Sequence, residues 1–332
     1  MAGNSCSRIA LVGVGAFGLK HLEALDAIED VDIVAIVDTR IGHASEVAAR
    51  YHADAMAELP EVLGRNDVDA VILCTPTPLH ATQAIAAMRA GKHVQVEIPL
   101  ADSWSSAQRV ADVQKETGLV CMVGHTRRFN PSHRWVRRRI SSEALKLQQL
   151  SVQTYFLRRS NLNALNQPRD WTDHLLWHHA AHTVDLLRYQ TGEEIEVANA
   201  IAGPPHPELG IAMDMSIQLL TAGGTVCTLS LSFNNAGPLG SVFRYIGDTG
   251  TYLAQYDNLV TGTDEPVDVS EVGGPVNGIE AQDRAFLEAV RSNREPESSV
   301  ALVLPAYRVL GELERQLLTA RASGRLSNAV PR

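Results

Sequence analysis

The sequence is poor in cysteine and in aromatic residues. Among its 332 residues it has 4 cysteines, and aromatic residues make up 5%. Cysteines so few and so widely spaced exclude a disulfide framework and a cysteine-based zinc cluster. These cysteines are Cys6, Cys74, Cys121 and Cys227. They predict a reducing compartment, and we expect a cytoplasmic location.

The sequence also has no excess of positive charge and no long apolar run. The formal net charge of -9 argues against a nucleic-acid partner, because such binding depends on neutralising phosphates with Lys and Arg. No apolar run approaches the roughly 20 residues that cross a membrane, and no N-terminal stretch has the apolar centre of a signal peptide. With 45% hydrophobic and 20% charged residues, the chain is typical of a globular protein. We expect a small-molecule ligand, with neither nucleic acid nor membrane as partner.

What the sequence does contain is a glycine motif near its beginning. An apolar run, 9–12, leads directly into the motif, and a second apolar run, 33–37, ends at Asp38, twenty residues after Gly18. Strand, glycine turn, helix, strand and acidic residue in this order predict a dinucleotide-binding site. The motif residues, all predicted to bind cofactor, are Gly13, Val14, Gly15, Ala16, Phe17 and Gly18.

The residues after the second apolar run leave the choice of cofactor open. Asp38 suits the ribose 2′-hydroxyl of NAD, whereas Thr39 and Arg40 follow directly and suit a 2′-phosphate. We therefore predict NADP or NAD. Thr75 and Pro76 follow a later buried strand, and because ligands lie beyond the carboxyl ends of parallel strands, we expect this turn to contact the cofactor as well.

The periodicity of the sequence changes along the chain. Apolar strands alternate with helical segments up to about residue 123, which predicts a parallel, doubly wound α/β sheet. From residue 150 several runs alternate with period two, which favours a largely antiparallel open sheet in a C-terminal α+β domain. At this length two domains are expected: a dinucleotide-binding Rossmann domain, 1–126, and a domain for substrate binding and oligomerisation, 127–332. We expect a homo-oligomer, a dimer through the C-terminal sheet.

Histidines are concentrated in residues 171–185. His174, His178 and His182 are spaced at i, i+4 and i+8, so that a helix would place them on one face. Such a stripe has two interpretations: metal ligands, or a general base with polar companions that bind an anionic substrate. The glutamate of an HExxH zinc helix is missing, because His179 stands in its place, and we expect no metal. The predicted catalytic residues are His182, His178, His179 and Asp173.

Arginines flank the histidines. Because the guanidinium fork matches a carboxylate in a bidentate manner, their repetition near predicted sheet ends indicates a di- or tricarboxylate substrate. Arg158 and Arg159 also follow a predicted strand. The predicted substrate-binding residues are Arg127, Arg128, Arg169, Trp171 and His174.

The glycine motif, Thr75-Pro76, Glu97-Ile98-Pro99, Gly124-His125 and the helix of His182 together resemble the glucose-fructose oxidoreductase, inositol dehydrogenase and MocA family. The resemblance covers nearly the whole chain. It implies an NAD(P)-dependent dehydrogenase, with Glu97 and Ile98 beside the cofactor. The family usually carries Glu-Lys-Pro and later Asp-x-x-x-His. Here Ile98 occupies the lysine position, His178 the aspartate position and His182 the histidine position.

Longer stretches, HVQVEIPLADSW, GLVCMVGHTRRFNPSH and WTDHLLWHHAAHTVDL, resemble one branch of this family more specifically. That resemblance implies oxidation of the cyclic hemiacetal of 4-carboxy-2-hydroxymuconate-6-semialdehyde to 2-pyrone-4,6-dicarboxylate, a step of protocatechuate 4,5-cleavage. Two alternatives remain open from the sequence: another sugar or polyol dehydrogenase of the family, or a regulator that binds NAD(P) without turnover.

Overall fold

The computed structural model describes residues 6–162, 167–169, 171–273 and 276–323. The chain divides into two compact units. The first unit comprises Met1–Thr126 and Ile279–Leu304, and the second comprises Arg127–Gly278 and Pro305–Arg332. The four cysteines are free thiols. No helix among the described residues has the length and apolar character needed to span a membrane.

The first unit contains a six-stranded parallel sheet in the order β3-β2-β1-β4-β5-β6. The order reverses between β1 and β4, and such a switch point leaves a crevice beyond the carboxyl ends of the strands. The predicted doubly wound parallel sheet is therefore confirmed. Its elements are β1 Ser7–Val12, α1 Ala16–Asp26, β2 Val31–Val37, α2 Ile41–Ala48, β3 Asp54–Met56, α3 Leu59–Leu63, β4 Ala70–Leu73, α4 Thr77–Arg89, β5 His93–Val96, α5 Trp104–Thr117 and β6 Cys121–Val123.

A later part of the chain also belongs to the first unit, although the sequence predicted one continuous second domain, 127–332. Helix α8, Gly278–Ser292, places Asp283 against His21 of α1. Ser298 pairs with the end of β6, where Val123 N donates to Ser298 O at 2.9 Å and Ser298 Oγ donates to Val123 O at 2.8 Å. These polar contacts are fully buried, so the segment 279–304 is part of the packing of this unit.

The second unit is built on a seven-stranded mixed sheet in the order β13-β12-β11-β7-β10-β9-β8. Neighbouring strands are antiparallel except β7 and β10, which are parallel. This confirms the predicted, largely antiparallel sheet. The strands are β7 Leu147–Tyr155, β8 Ile195–Ala202, β9 Asp214–Thr221, β10 Val226–Ser232, β11 Gly240–Gly247, β12 Thr251–Gln255 and β13 Asn258–Thr261. The remaining helices are α6 Pro131–Ser141, α7 Ala181–Thr191 and α9 Val300–Ala322, with 3-10 turns at Thr126–Arg128 and Ser270–Val272.

The histidine-rich segment departs from the regular helix that its spacing predicts. His174 has an extended backbone (φ -105°, ψ 139°), and a π-helix, Leu175–Ala180, precedes α7. A π-helix has more residues per turn than an α-helix and is frequent at functional sites. The regular helix that the spacing i, i+4, i+8 predicts is therefore not continuous over His174, His178 and His182: His174 precedes it, and His178 lies in the π-helix.

Candidate functional site

The glycine turn after β1 is shaped by two close backbone approaches. Gly13 has φ +96°, and a Cβ there would lie 2.6 Å from the carbonyl oxygen of Cys74. A Cβ on Gly18 would lie 2.0 Å from the carbonyl oxygen of Gly13. A side chain cannot occupy either position, so these two glycines allow the turn to be tight and α1 to lie against β1.

Gly15 is different, because a Cβ there would meet no protein atom within 4 Å. It is the N-cap of α1, and no side chain caps the helix. Free N–H groups at a helix N-terminus, next to open space, form a site for an anion such as a pyrophosphate. Val14 is buried, Ala16 is half-buried and Phe17 is exposed. The motif therefore fits a dinucleotide phosphate.

We expect Gly15→Ala to weaken the binding of NADP about tenfold while leaving the thermal midpoint unchanged. The added methyl group would project into the space left for the pyrophosphate and would strain no protein contact. Fluorescence titration with NADPH and a melting curve measure the two effects. Gly42→Ala is the matched control, because Gly42 in α2 also has open space around it. Equal NADPH affinity in both variants would contradict the assignment.

Asp38 lies at the end of β2 and accepts hydrogen bonds from Val14 and Arg40. Val14 N donates to Oδ2 at 3.1 Å, and Arg40 donates to Oδ1 from its backbone N at 2.9 Å and its Nε at 3.1 Å. Burial alone would raise the pKa of Asp38, but the hydrogen bonds from Arg40 and Val14 outweigh it and lower the pKa. Asp38 is thus an anchored carboxylate whose charge is offset by an exposed arginine, and Thr39 beside it is exposed.

The loops after β4 and β5 are joined by a histidine that the sequence analysis missed. His80 is buried, and its Nδ1 and Nε2 lie 2.7 Å from the carbonyl oxygens of Pro99 and Thr75, respectively. Thr75 Oγ1 donates to Gln83 Oε1 at 2.5 Å. The predicted cofactor residues Thr75 and Pro76 are half-buried at this end of the sheet, as is Ile98, whereas Glu97 is buried. No local signal marks His80, since its partners come from two separate loops.

In the second unit, two guanidinium groups share one carboxylate. Arg169 Nη1 donates to Asp173 Oδ1 at 3.1 Å, and Arg158 Nη2 donates to Asp173 Oδ2. Arg158 Nη1 and the Nε and Nη2 of Arg169 are buried without a hydrogen-bond partner among the described residues. Two positive charges on one negative charge, with donors to spare, form a cluster suited to a further carboxylate. The sequence placed Arg158 near the histidines but did not select it as a ligand.

Asp173 itself is held as a carboxylate. Burial alone would raise its pKa, but His178 and the two guanidinium groups outweigh burial and lower it. The Nε2 of His178 lies 3.7 Å from Asp173 Oδ1. The backbone N of His174 donates to His178 Nδ1 at 2.9 Å, so the proton of a neutral His178 lies on Nε2, towards Asp173. The predicted pairing of Asp173 with an imidazole thus has a geometric counterpart in His178.

Aromatic rings surround this cluster. Trp171 stacks on His178 with ring centroids 5.7 Å apart, and the guanidinium of Arg169 lies 4.7 Å from the centroid of the Trp171 ring. His174 is exposed, and its ring is stacked 6.5 Å from that of His178. Stacking of a guanidinium on an indole restrains both side chains. Trp171 therefore positions Arg169 and His178.

The remaining two candidate bases have different environments. His179 packs between Phe156, 5.1 Å away, and Phe233, 5.2 Å away, measured between ring centroids. Burial, opposed by Asp173, lowers the pKa of His179 to about 4, so its imidazole is neutral at pH 7. His182 is half-buried in the first turn of α7. His179 is thus uncharged, as a general base must be before it accepts a proton.

The structure separates Arg127 from Arg128. Arg128 is buried and paired with Asp185, with Nε to Oδ2 at 2.8 Å and Nη2 to Oδ1 at 2.6 Å. Both Nε and Nη2 of its guanidinium group are thus paired inside the unit, which corrects our expectation that this residue binds substrate. Arg127 lies against the rings of Phe243 and Tyr256, at 5.5 and 5.0 Å. Burial lowers the pKa of Arg127. No metal-binding group of His, Cys, Asp and Glu was found among the residues that the structure describes.

The chain is similar to known oxidoreductases along most of its length. The family described as "Oxidoreductase family, NAD-binding Rossmann fold" matches residues 7–125, and the family described as "Bacterial oxidoreductases, C-terminal" matches residues 131–273. A curated relative, the 4-carboxy-2-hydroxymuconate-6-semialdehyde dehydrogenase of Sphingobium sp., is 64% identical over 311 residues, covering 93% of this chain and 98% of the relative.

Solved structures share the fold at much lower identity. The WlbA dehydrogenase from Bordetella pertussis, in complex with NADH and UDP-GlcNAcA, has a TM-score of 0.81 and 21% identity, and the match covers 95% of this chain and 96% of that chain. A mutant 3-ketoreductase from Actinomadura kijaniata, in complex with TDP-benzene and NADP, has a TM-score of 0.75 and 20% identity, with 94% and 98% covered. These two neighbours support the fold alone.

Proposed function

The chain belongs to the oxidoreductase family with an NAD-binding Rossmann fold, as its motifs indicated, and from this premise we propose that it oxidises 4-carboxy-2-hydroxymuconate-6-semialdehyde. The substrate reacts as its cyclic hemiacetal, and the product is 2-pyrone-4,6-dicarboxylate. The substrate name comes from the relative that is 64% identical. The proposed location is the cytoplasm, where free thiols stay reduced.

The observation that carries the proposal is the pair of guanidinium groups around Asp173. Among the described residues, Arg158 and Arg169 have buried N–H groups with no hydrogen-bond partner, and a single carboxylate, that of Asp173, offsets one of their two charges. A substrate carboxylate would accept from these donors and balance the charge. An uncharged sugar or polyol would leave the surplus charge buried, which is costly. We therefore assign Arg158 and Arg169 to one substrate carboxylate, and Arg127 to another.

The proton of the hemiacetal hydroxyl requires a base. We assign it to His182, which is half-buried. We assign His178 a positioning role and not that of proton acceptor, because its Nδ1 receives the N–H of His174 and its Nε2 faces Asp173. His179, neutral and packed between two phenylalanine rings, is the second candidate base.

The chemistry explains why an imidazole suffices. In the reaction the hemiacetal C–H bond and O–H bond break and a lactone C=O bond forms. NADP⁺ or NAD⁺, when bound, would supply the hydride acceptor, and His182 would take the proton. A hemiacetal hydroxyl is more acidic than that of an ordinary secondary alcohol, and the lactone is stabilised by resonance, so less basic assistance is needed. Ile98, uncharged and half-buried, excludes water from its end of the sheet.

Either nucleotide is compatible with the end of β2. Asp38 is placed to accept from a ribose 2′-hydroxyl, and the exposed Arg40 is placed to contact a 2′-phosphate by leaving Asp38. We propose that both NADP and NAD are used.

We also propose a homodimer through the sheet of the second unit. One face of this sheet carries uncharged polar residues together with Ile201, which is 70% exposed. The groove on this face is lined by Ser151, Gln153, Asn199, Ser216, Gln218, Thr228 and Ser230. A groove lined by uncharged side chains, with an exposed apolar side chain beside them, suits burial against a second copy. Sedimentation equilibrium should give twice the mass of one chain, and a monomer at micromolar concentration would exclude this dimer.

An assay of reduced-nicotinamide absorbance with several substrates tests the proposed function. We expect turnover with the semialdehyde and at least a hundredfold lower kcat/KM with inositols and other sugars. The opposite preference would make the protein a polyol dehydrogenase. Nucleotide binding without turnover of any substrate would make it a regulator.

A further inference from the structure

Three ionisable side chains form a buried network in the first unit. His21 of α1 has Nδ1 at 2.8 Å from Asp283 Oδ2, and its Nε2 lies 3.1 Å from Glu97 Oε1. The His21 and Asp283 side chains are fully buried, and that of Glu97 is 11% exposed. Gln95 Nε2 donates to Asp283 Oδ1 at 2.7 Å. Sequence analysis assigned none of these contacts, because Asp283 lies far away along the chain.

This network carries one excess negative charge. Burial alone would lower the pKa of His21, but the charges and hydrogen bonds of Asp283 and Glu97 raise it to about 10. His21 is therefore an imidazolium at pH 7, and it faces two carboxylates. Cys74 nearby adds no charge, because burial, followed by the two carboxylates, raises the pKa of its thiol. The neighbouring His80 is buried, and burial lowers its pKa.

Within the network, Glu97 is the residue that lies at the carboxyl end of a strand of the sheet. It directly follows β5, and a Cβ on Gly124 would lie 2.3 Å from its Oε1, so only glycine at that position leaves room for the carboxylate. Gln282 Nε2 donates to Glu97 Oε1 at 3.4 Å and is held in turn by Thr126 Oγ1, which donates to Gln282 Oε1 at 2.8 Å. These contacts hold the carboxylate at the carboxyl end of β5.

The position of this charge along the sheet determines which half of a bound dinucleotide would lie near it. The 2′-hydroxyl or 2′-phosphate of the adenosine ribose is expected to bind next to Asp38 at the end of β2. Strand β5 lies on the other side of the switch point, with β4. The carboxyl end of β5 thus belongs to the half of the crevice that takes the nicotinamide. The residue that follows Glu97 is Ile98, which supplies no positive charge.

We propose that Glu97 sets the preference of the protein between the two redox forms of its cofactor, favouring the oxidised form. The oxidised nicotinamide ring is cationic and the reduced ring is neutral, so a fixed excess negative charge near the ring stabilises the oxidised form selectively. This proposal rests on the proposed function, since it requires that NADP or NAD binds in the crevice. A protein with this bias takes up oxidised cofactor and releases reduced cofactor more readily, as an oxidising enzyme requires.

Dissociation constants of NADP⁺ and NADPH, measured by calorimetry, test the proposal without turnover. Glu97→Gln keeps the shape and an acceptor for His21 but removes the charge. We expect the ratio Kd(NADP⁺)/Kd(NADPH) to rise about tenfold, the size of one charge acting over roughly 12 Å at an effective dielectric constant of about 20. Ile98→Lys leaves the network intact, adds a positive charge beside it, and should raise the ratio in the same direction.

A control variant and the pattern of results distinguish the proposed role of Glu97 from the proposed function of the protein. Glu116→Gln removes one carboxylate from the exposed surface of α5 in the same unit, and it should leave the ratio unchanged. Wild-type protein that binds neither nucleotide would overturn the proposed function. Nucleotide binding with ratios within twofold of wild type in both Glu97→Gln and Ile98→Lys would overturn the role of Glu97 alone. If Glu97→Gln does not fold, the ratio for Ile98→Lys decides.

Discussion

Replacing His182 by alanine should lower kcat about 10²–10⁴-fold, the usual contribution of a positioned general base. In the proposed mechanism the imidazole of His182 takes the hemiacetal proton. Nδ1 of His178 receives a backbone N–H, and His179, with a pKa of about 4, would be a weaker base in its place. The dissociation constant of NADPH should stay within about twofold of wild type, since the glycine turn is untouched. Steady-state kinetics and fluorescence titration measure the two quantities.

Added imidazole provides the decisive control for this prediction. A missing base can be replaced in part by free imidazole, so the His182→Ala variant should recover activity in proportion to the imidazole concentration. A variant that lost activity through local misfolding would not recover. Equal losses of turnover and of NADPH affinity, or no rescue by imidazole, would remove His182 from the role of base.

Replacing Arg158 or Arg169 by methionine should raise KM for the dicarboxylate about 10- to 100-fold, with a smaller change in kcat. A hydrogen bond to a charged group contributes about 1.5–3 kcal/mol, and one tenfold change corresponds to about 1.4 kcal/mol. Methionine retains much of the apolar stem of arginine while removing the fork. Each variant leaves Asp173 with one guanidinium partner, so the pairing inside the cluster persists. Steady-state kinetics at saturating NADP gives both constants.

A neighbouring arginine provides the matched control. Arg159 is exposed, and its Nη1 donates to Asn234 Oδ1 at 3.0 Å, away from Asp173. Arg159→Met should leave KM within twofold of wild type. A substrate analogue that lacks one carboxylate should bind wild-type protein more weakly, yet lose little further affinity in Arg169→Met. An unchanged KM in both Arg158→Met and Arg169→Met would refute the carboxylate cluster.

The features that follow from short stretches of sequence were predictable. The glycine turn was one of them, because Gly18 is required by the backbone of Gly13, only five residues away, and the whole motif lies between two apolar runs. The parallel sheet of the first unit follows from alternating strands and helices, and the sheet of the second unit from period two. These patterns depend on local propensity and burial, which a sequence displays directly.

Features that depend on distant residues were not predictable. Arg128 was expected to bind substrate, but Asp185, which engages both prongs of its fork, stands 57 residues away. The segment 279–304 belongs to the first unit because of buried partners such as His21 and Val123, and no pattern in the segment marks them. The segment Leu175–Ala180 is a π-helix, whereas the spacing of its histidines indicates a regular α-helix.

The central claim is that the chain moves a hydride from a carboxylate-bearing hemiacetal to a nicotinamide. The most direct measurement uses 4-carboxy-2-hydroxymuconate-6-semialdehyde with deuterium on the aldehyde carbon, wild-type protein and NADP⁺, followed by mass spectrometry of both products. We predict one deuterium in each reduced nicotinamide and none in an equimolar amount of 2-pyrone-4,6-dicarboxylate. Deuterium that appears in solvent water, or no reduced nicotinamide with this substrate, would contradict the account.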